Sequence, residues 1–351
     1  MNRRTEGVLA AGGNFDSAVS RLGRHITLLE NRVLGVTVFL ALLILFFSIL
    51  DPRFANIANA DTIALNASIL VIVACGEAIV VLTRNFDLSV GSVVALASYV
   101  GLDIVRLHPA IGPPLVLVPI LIGGLCGAVN GMLVAYAGVP SVIATLGTMS
   151  IFRGLAYLYA GGAQINVKDL PGWVVGIATS HVLGLSGLVV TAFGVVLGIG
   201  LGLRYLRTGR QIYAIGSNPE AAEFYGLRKP AIVFRAYLLC GLLTGLAAFL
   251  FGVRAGYIVP YLAQGLELTA LAAVVVGGVS VLGGSGNVVG AAVGAIALAT
   301  INDGLILLGA SDFTRQFIEG AAIVVAVIVD AVLQTRLRRL LAMLRRGRRH
   351  Q

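Results

Sequence analysis

The 351-residue chain is 58% hydrophobic and only 12% charged, with a mean hydropathy of +0.95, whereas soluble domains carry about a quarter charged residues. That balance excludes an ordinary soluble enzyme; at about 20 apolar residues per span the length holds about ten spans and no separate soluble domain. The net charge of +9 would suit nucleic acid, but its distribution argues otherwise. Arg3, Arg4, Arg21, Arg24 and Arg32 crowd one end and Arg336, Arg338, Arg339, Arg345, Arg346, Arg348 and Arg349 the other. Basic residues beside apolar spans mark cytoplasmic segments, and no aromatic stacking platform accompanies them, so no nucleic-acid partner is expected.

In chain order, residues 1–32 form a basic segment expected in the cytoplasm. Apolar runs between breaker residues then predict membrane segments at about 33–50, 62–82, 88–106, 113–137, 139–160, 182–205, 230–252, 266–283, 287–309 and 317–333. The first has no small-residue cleavage pattern after it and is expected to be retained. Segment 88–106 opens with polar residues, and 266–283 dissolves into Gly283, Gly284 and Gly286. Both are candidates for broken or re-entrant helices buried among their neighbours, because irregular backbone is tolerated in lipid only there. The expected fold is an all-α polytopic integral membrane protein, with its membrane domain over 33–335 and a basic tail over 336–351.

An even number of segments puts both termini on one side, and the arginines make that side the cytoplasm. The 206–229 loop, with Arg207, Arg210, Arg228 and Lys229, then lies inside, while only Arg53, Arg106, Lys168, Arg254 and Arg315 lie outside. Glycines recur at helix-packing spacing at Gly123, Gly127 and Gly131, at Gly194, Gly198 and Gly202, and at Gly286, Gly290 and Gly294. Such rows predict close helix contact in lipid. Five segments on either side of the 161–181 outer loop fit two inverted halves.

A charge inside a span costs about 2.5–3.5 kcal/mol on insertion scales, so each needs a partner or a task. Glu77 reads as a solute-path carboxylate or, equally, as a carboxyl bonded to facing backbone or to Arg153. Asn130, beside Gly127 and Gly131, reads first as an interhelical hydrogen bond, and Asn66, Thr145, Asn302 and Asp303 are similar cases. Asp87, Ser89 and Ser92 are expected to cap the helix that follows, with contact to a sugar hydroxyl as the functional reading of the same end. The candidate solute path is therefore Glu77, Asp87, Ser89, Asn130, Thr145 and Asp303.

The most informative soluble piece is the loop from Thr208 to Gly226. Asn218 can cap, Pro219 suits the first helical position, Glu220 and Glu223 favour early turns, and Gly226 suits the end. A span-to-span turn needs only a few residues, so a built helix here implies docking to something. No nucleotide site is found in the chain: a P-loop needs a lysine after glycine, and the only lysines are Lys168 and Lys229 in other contexts. Cys75, Cys126 and Cys240 stand singly, and His25, His108, His181 and His350 lack partners at ligand spacing, so neither metal nor cofactor is expected.

From about 35 to 335 the residues resemble the permease subunits of ribose-type sugar ABC importers. The marks are Asn85-Phe-Asp87-Leu-Ser89-Val-Gly91-Ser, then Gly131-Met-Leu-Val with Val139-Pro140-Ser-Val-Ile-Ala-Thr145-Leu-Gly147-Thr, then Arg153-Gly and Gly161-Gly. They continue with Gly209-Arg210, Tyr213-Ala-Ile-Gly216-Ser-Asn218-Pro-Glu220-Ala221-Ala222 and Gly226, and Gly277-Gly278-Val-Ser-Val-Leu-Gly283-Gly284-Ser-Gly286. Where many members have Gly-Gly-Ile before Asp-Leu-Ser, Thr83-Arg84-Asn85-Phe86 stands here, which is similar to the autoinducer-2 and deoxysugar branch. The resemblance implies a pair of permeases, alike or sister chains, with two cytoplasmic ATPase subunits and an extracytoplasmic solute-binding protein. It places coupling to the ATPase on Gly209, Arg210, Gly216, Asn218, Glu220, Ala221, Ala222 and Gly226. The rival readings are a self-contained secondary carrier or channel, a branched-chain amino acid ABC permease and, third, an intramembrane enzyme.

Overall fold

The computed structural model describes residues 32–328 apart from 183, 312, 319, 322, 323, 326 and 327. Its first helices are α1 (Arg32–Leu50), α2 (Ile57–Leu82), α3 (Val90–Leu107), α4 (Leu117–Gly131) and α5 (Ser141–Ala160). There follow α6 (Gly172–Thr179), α7 (Gly187–Tyr205), α8 (Arg207–Ser217) and α9 (Pro219–Phe224), then α10 (Lys229–Arg254), α11 (Leu266–Val276) and α12 (Val288–Leu307). Eight helical stretches among the described residues are long and apolar enough to cross a membrane: α1 to α3, the run Pro113–Tyr136 that contains α4, then α5, α7, α10 and α12. The expected segment 266–283 is only the short α11 before its glycines turn the chain, and 317–333 lies largely outside the described residues.

Boundary differences have local causes. Asn56 accepts a hydrogen bond from the Ala58 amide at 3.1 Å, and this cap starts α2 five residues before the apolar run becomes continuous. Likewise Ser186 caps α7 and Asn287 caps α12. The 161–181 loop carries β1 (Ile165–Asn166), which pairs antiparallel with β4 (Tyr257–Ile258). A small hairpin, β2 (His181–Val182) with β3 (Leu185–Ser186), leads into α7.

The core runs along α2, where every residue from Ala67 to Leu82 is buried. Around it the two halves exchange roles. α2 packs on α10, α11 and α12, just as α10 packs on α2, α3 and α4, while α3 and α4 pair as α11 and α12 do. α3 and α11 open on related sequences: Asp87-Leu-Ser-Val at the start of α3, Glu267-Leu-Thr-Ala at the start of α11. They meet, since a Cβ on Gly91 would collide with the Glu267 carboxylate and lie 2.7 Å from the Ala263 carbonyl.

Two of the three glycine rows serve as expected. A Cβ on Gly123 would lie 2.6 Å from the Gly245 nitrogen, and one on Gly127 2.9 Å from the Gly241 Cα, so α4 and α10 touch backbone to backbone. Gly290 and Gly294 meet Gly277 and Ala273 in the same way. The third row differs: nothing in the described chain lies within 4 Å of a Cβ on Gly194 or Gly198. Spacing identifies a smooth helix face but not whether a neighbour covers it.

Candidate functional site

The chain between α2 and α3 folds back into the bundle and buries a polar network. Asp87 stands at its centre. Its amide donates to Glu77 Oε1 at 3.1 Å, and its Oδ1 accepts the Ser89 amide at 3.0 Å and the Ser89 hydroxyl at 2.6 Å. Asn130 of α4 donates to both Asp87 oxygens, at 3.2 and 3.3 Å, and to Ser89 Oγ at 2.8 Å. Thr148 of α5 closes the set by donating to Asn130 Oδ1 at 2.7 Å. Buried polar groups demand such partners, and here one cluster pins α2, α4 and α5 to the start of α3.

This geometry sorts the earlier readings. The interhelical role of Asn130 is present, and Glu77 meets backbone, not Arg153, whose Nη1 instead takes the Pro260 and Leu262 carbonyls at 2.9 and 2.8 Å. Asp87 supplies the bond to the Ser89 amide, whereas Ser89 makes no capping bond of its own and the Ser92 hydroxyl finds no partner among the described residues. Thr145 bonds back to Ser141 in its own helix, so its hydroxyl is outside the network.

Asp303 belongs elsewhere. With Asn66, which donates to it at 3.2 Å, it lines a cavity of about 1110 Å³ between α2, α10, α12 and the start of α11. Arg254, Asn302, Arg315 and Thr269 share the lining, and Arg315 Nη1 donates to Asn302 at 2.8 Å. The six path candidates thus divide: Glu77, Asp87, Ser89 and Asn130 together, Asp303 at the cavity, and Thr145 at neither.

At the far end of α2 the 206–229 loop forms two helices, not one. α8 was hidden because Gly209 and Gly216 read as loop residues. In the fold Gly209 lets α8 press against the Leu203 backbone, and Ile212, Ile215 and Gly216 form its buried face. Asn218 then caps α9 through the Ala221 amide at 3.1 Å, Ala222 is buried, Glu220 sits exposed in the first turn, and Gly226 ends the unit at φ +79°. Arg210 reaches the Tyr205 carbonyl at 3.4 Å. Phe224 and Tyr225, which the sequence reading passed over, are 92% and 89% exposed. Two bare aromatics on a polar loop were the available signal.

This pair is locked to the bundle. A Cβ on Gly216 would collide with the Leu82 carbonyl and with Gly284, whose amide donates to that same carbonyl at 2.9 Å. The Tyr213 hydroxyl donates to the Gly286 carbonyl at 2.9 Å, and burial pushes its pKa up, keeping it protonated as a donor. Arg84 donates from Nε to the Gly216 carbonyl at 2.6 Å and from Nη2 to the Ser217 carbonyl at 2.9 Å. Its φ is +67°, a conformation that costs a non-glycine residue about 1–2 kcal/mol.

Residues 59–327 match a family of permease components described under branched-chain amino acid transport systems. The ribose import permease protein RbsC of Escherichia coli K12 is 37% identical over 301 residues, 83% of this chain and 91% of that protein. The autoinducer 2 import system permease protein LsrC of Shigella flexneri is 34% identical over 308 residues, covering 87% and 89%. LsrC of Photorhabdus luminescens is 33% identical over 303 residues, covering 85% and 90%. No solved structure matches. Apolar spans, a structured loop outside them and these relatives agree, and the chain belongs to this permease-component family, as a multi-pass membrane subunit of an ABC importer whose ATP hydrolysis resides in a partner.

Proposed function

We propose that this permease moves a sugar or sugar-like solute across the bacterial inner membrane by alternating access. Two permease subunits, identical or sister chains, form the path, two cytoplasmic ATPases drive it and an extracytoplasmic binding protein delivers the solute. Residues 1–32, 206–229 and 336–351 are cytoplasmic in this reading, flanking and interrupting the permease domain over 33–335, and the Asp303 cavity faces outward. The observation that carries the ATPase assignment is α9. It is capped, ended by a left-handed glycine, seated through Ala222, and presents Phe224 and Tyr225 bare. Exposed aromatics on a rigid element suit the anchors of an interface.

Ribose and autoinducer-2 import by the relatives supports the solute class. The family description, which names branched-chain amino acids, supports the second reading. Proteoliposomes holding the chain with its ATPase and binding protein decide between them: ATP-dependent uptake of D-ribose is expected, and uptake of L-leucine with no sugar would establish the alternative. A cysteine replacing Tyr225 should crosslink to the ATPase. Sugar uptake by the chain alone, driven by a proton or sodium gradient, would sink both readings.

A further inference from the structure

We propose that Arg84 is the positioning residue through which movement of α8 and α9 reaches the start of α3, an inference that rests on the ATPase docking reading. The last carbonyls of a helix have no partners within it. At the end of α8 two successive ones, of Gly216 and Ser217, are taken by one guanidinium, at 2.6 and 2.9 Å. A planar fork holding consecutive carbonyls fixes orientation as well as distance, and a cation complements the negative end of the helix dipole. Ser217 directly precedes Asn218, the cap of α9, so displacement of α9 bears on this contact first.

The other end of the link is equally tight. Three residues after Arg84, Asp87 sits in the network with Glu77, Ser89 and Asn130. Between them, the Phe86 carbonyl is held by the Tyr237 hydroxyl of α10 at 2.8 Å and the Phe86 amide by Ser141 of α5 at 3.3 Å. Six residues, Arg84 to Ser89, therefore connect the end of α8 to the opening of α3, with Arg84, Asn85, Phe86, Asp87 and Ser89 each held by hydrogen bonds. The backbone at Arg84, φ +67°, is one that glycine adopts freely, so arginine stands there against its own conformational preference. Its side chain accounts for that.

The same conformation makes the test clean, because Arg84→Gly removes the guanidinium and relaxes the backbone. The importer is assembled with its ATPase in proteoliposomes, and Thr269→Cys, on the wall of the outward cavity, is labelled with a membrane-impermeant maleimide. The three native cysteines are buried and give little background. With Arg84 intact, labelling should change by about tenfold between the nucleotide-free and ATP–vanadate states, the size of an ordinary coupling between sites. Arg84→Gly should cut the change several-fold, leaving only what the Gly216 contact with the Leu82 carbonyl transmits, while Tyr225→Cys still crosslinks to the ATPase, and Arg84→Lys, which keeps the charge without the fork, should respond in between. A full response in Arg84→Gly overturns the inference and leaves the docking reading standing. Absence of the Tyr225 crosslink in the parent overturns the docking reading and the inference with it.

Discussion

Asn130 and Thr145 show how one residue class divides by environment. Both are fully buried polar residues near the loop end of their helices, yet Asn130 joins three elements while the Thr145 hydroxyl satisfies itself on Ser141 four residues back. Asn130→Ala would leave Asp87, Ser89 and Thr148 short of partners, and orphaned buried groups cost about 1–3 kcal/mol each. We expect a clear fall in the melting temperature of the detergent-solubilised chain. Thr145→Val removes a bond that helix geometry makes dispensable and should leave melting nearly unchanged. Equal losses in both variants would contradict the network.

Among elements, the glycine rows give the sharpest contrast. Gly123→Val on α4 meets the Gly241 and Gly245 backbones of α10, which cannot move aside as a side chain tip would, and should abolish a folded, monodisperse chain. Gly194→Ala on α7 meets nothing in the described chain and should be tolerated in expression and melting of the isolated permease. At α9, a Cβ on Gly226 also meets nothing, so Gly226→Val acts only through its φ of +79°. It should spare folding and binding-protein delivery but lower ATP-driven uptake by about tenfold or detach the ATPase. Unchanged uptake with bound ATPase would remove the helix end from the coupling path.

For the whole molecule, the distribution of arginines predicts which face of the bundle is cytoplasmic. A cysteine at the exposed Gln164 should label from outside intact cells, and one at Tyr225 only after permeabilisation. The reverse pattern would invert the orientation while leaving the packing untouched. Because α3 and α11 open against each other at Gly91 and Glu267, bulk at Gly91 should impair transport even where the chain inserts, which uptake by Gly91→Ala measures.

The sequence alone determined the class. Apolar runs must lie in lipid, arginines mark one side, and the Asn218, Pro219 and Gly226 signals act within a few residues, so α9 was legible with its cap and its end. Its motifs also set the chain beside the sugar permeases. What only the tertiary structure decided depends on residues far apart in the chain. Whether Glu77 meets Arg153 or Asp87, whether a glycine row is covered, and where Arg84 reaches are questions of which backbone passes nearby. Spacing along one helix carries no record of that. α8 was missed for the same reason, since its glycines look like breakers until the Leu82 and Leu203 backbones appear against them. A small residue marks where another segment arrives, and only the fold says which one.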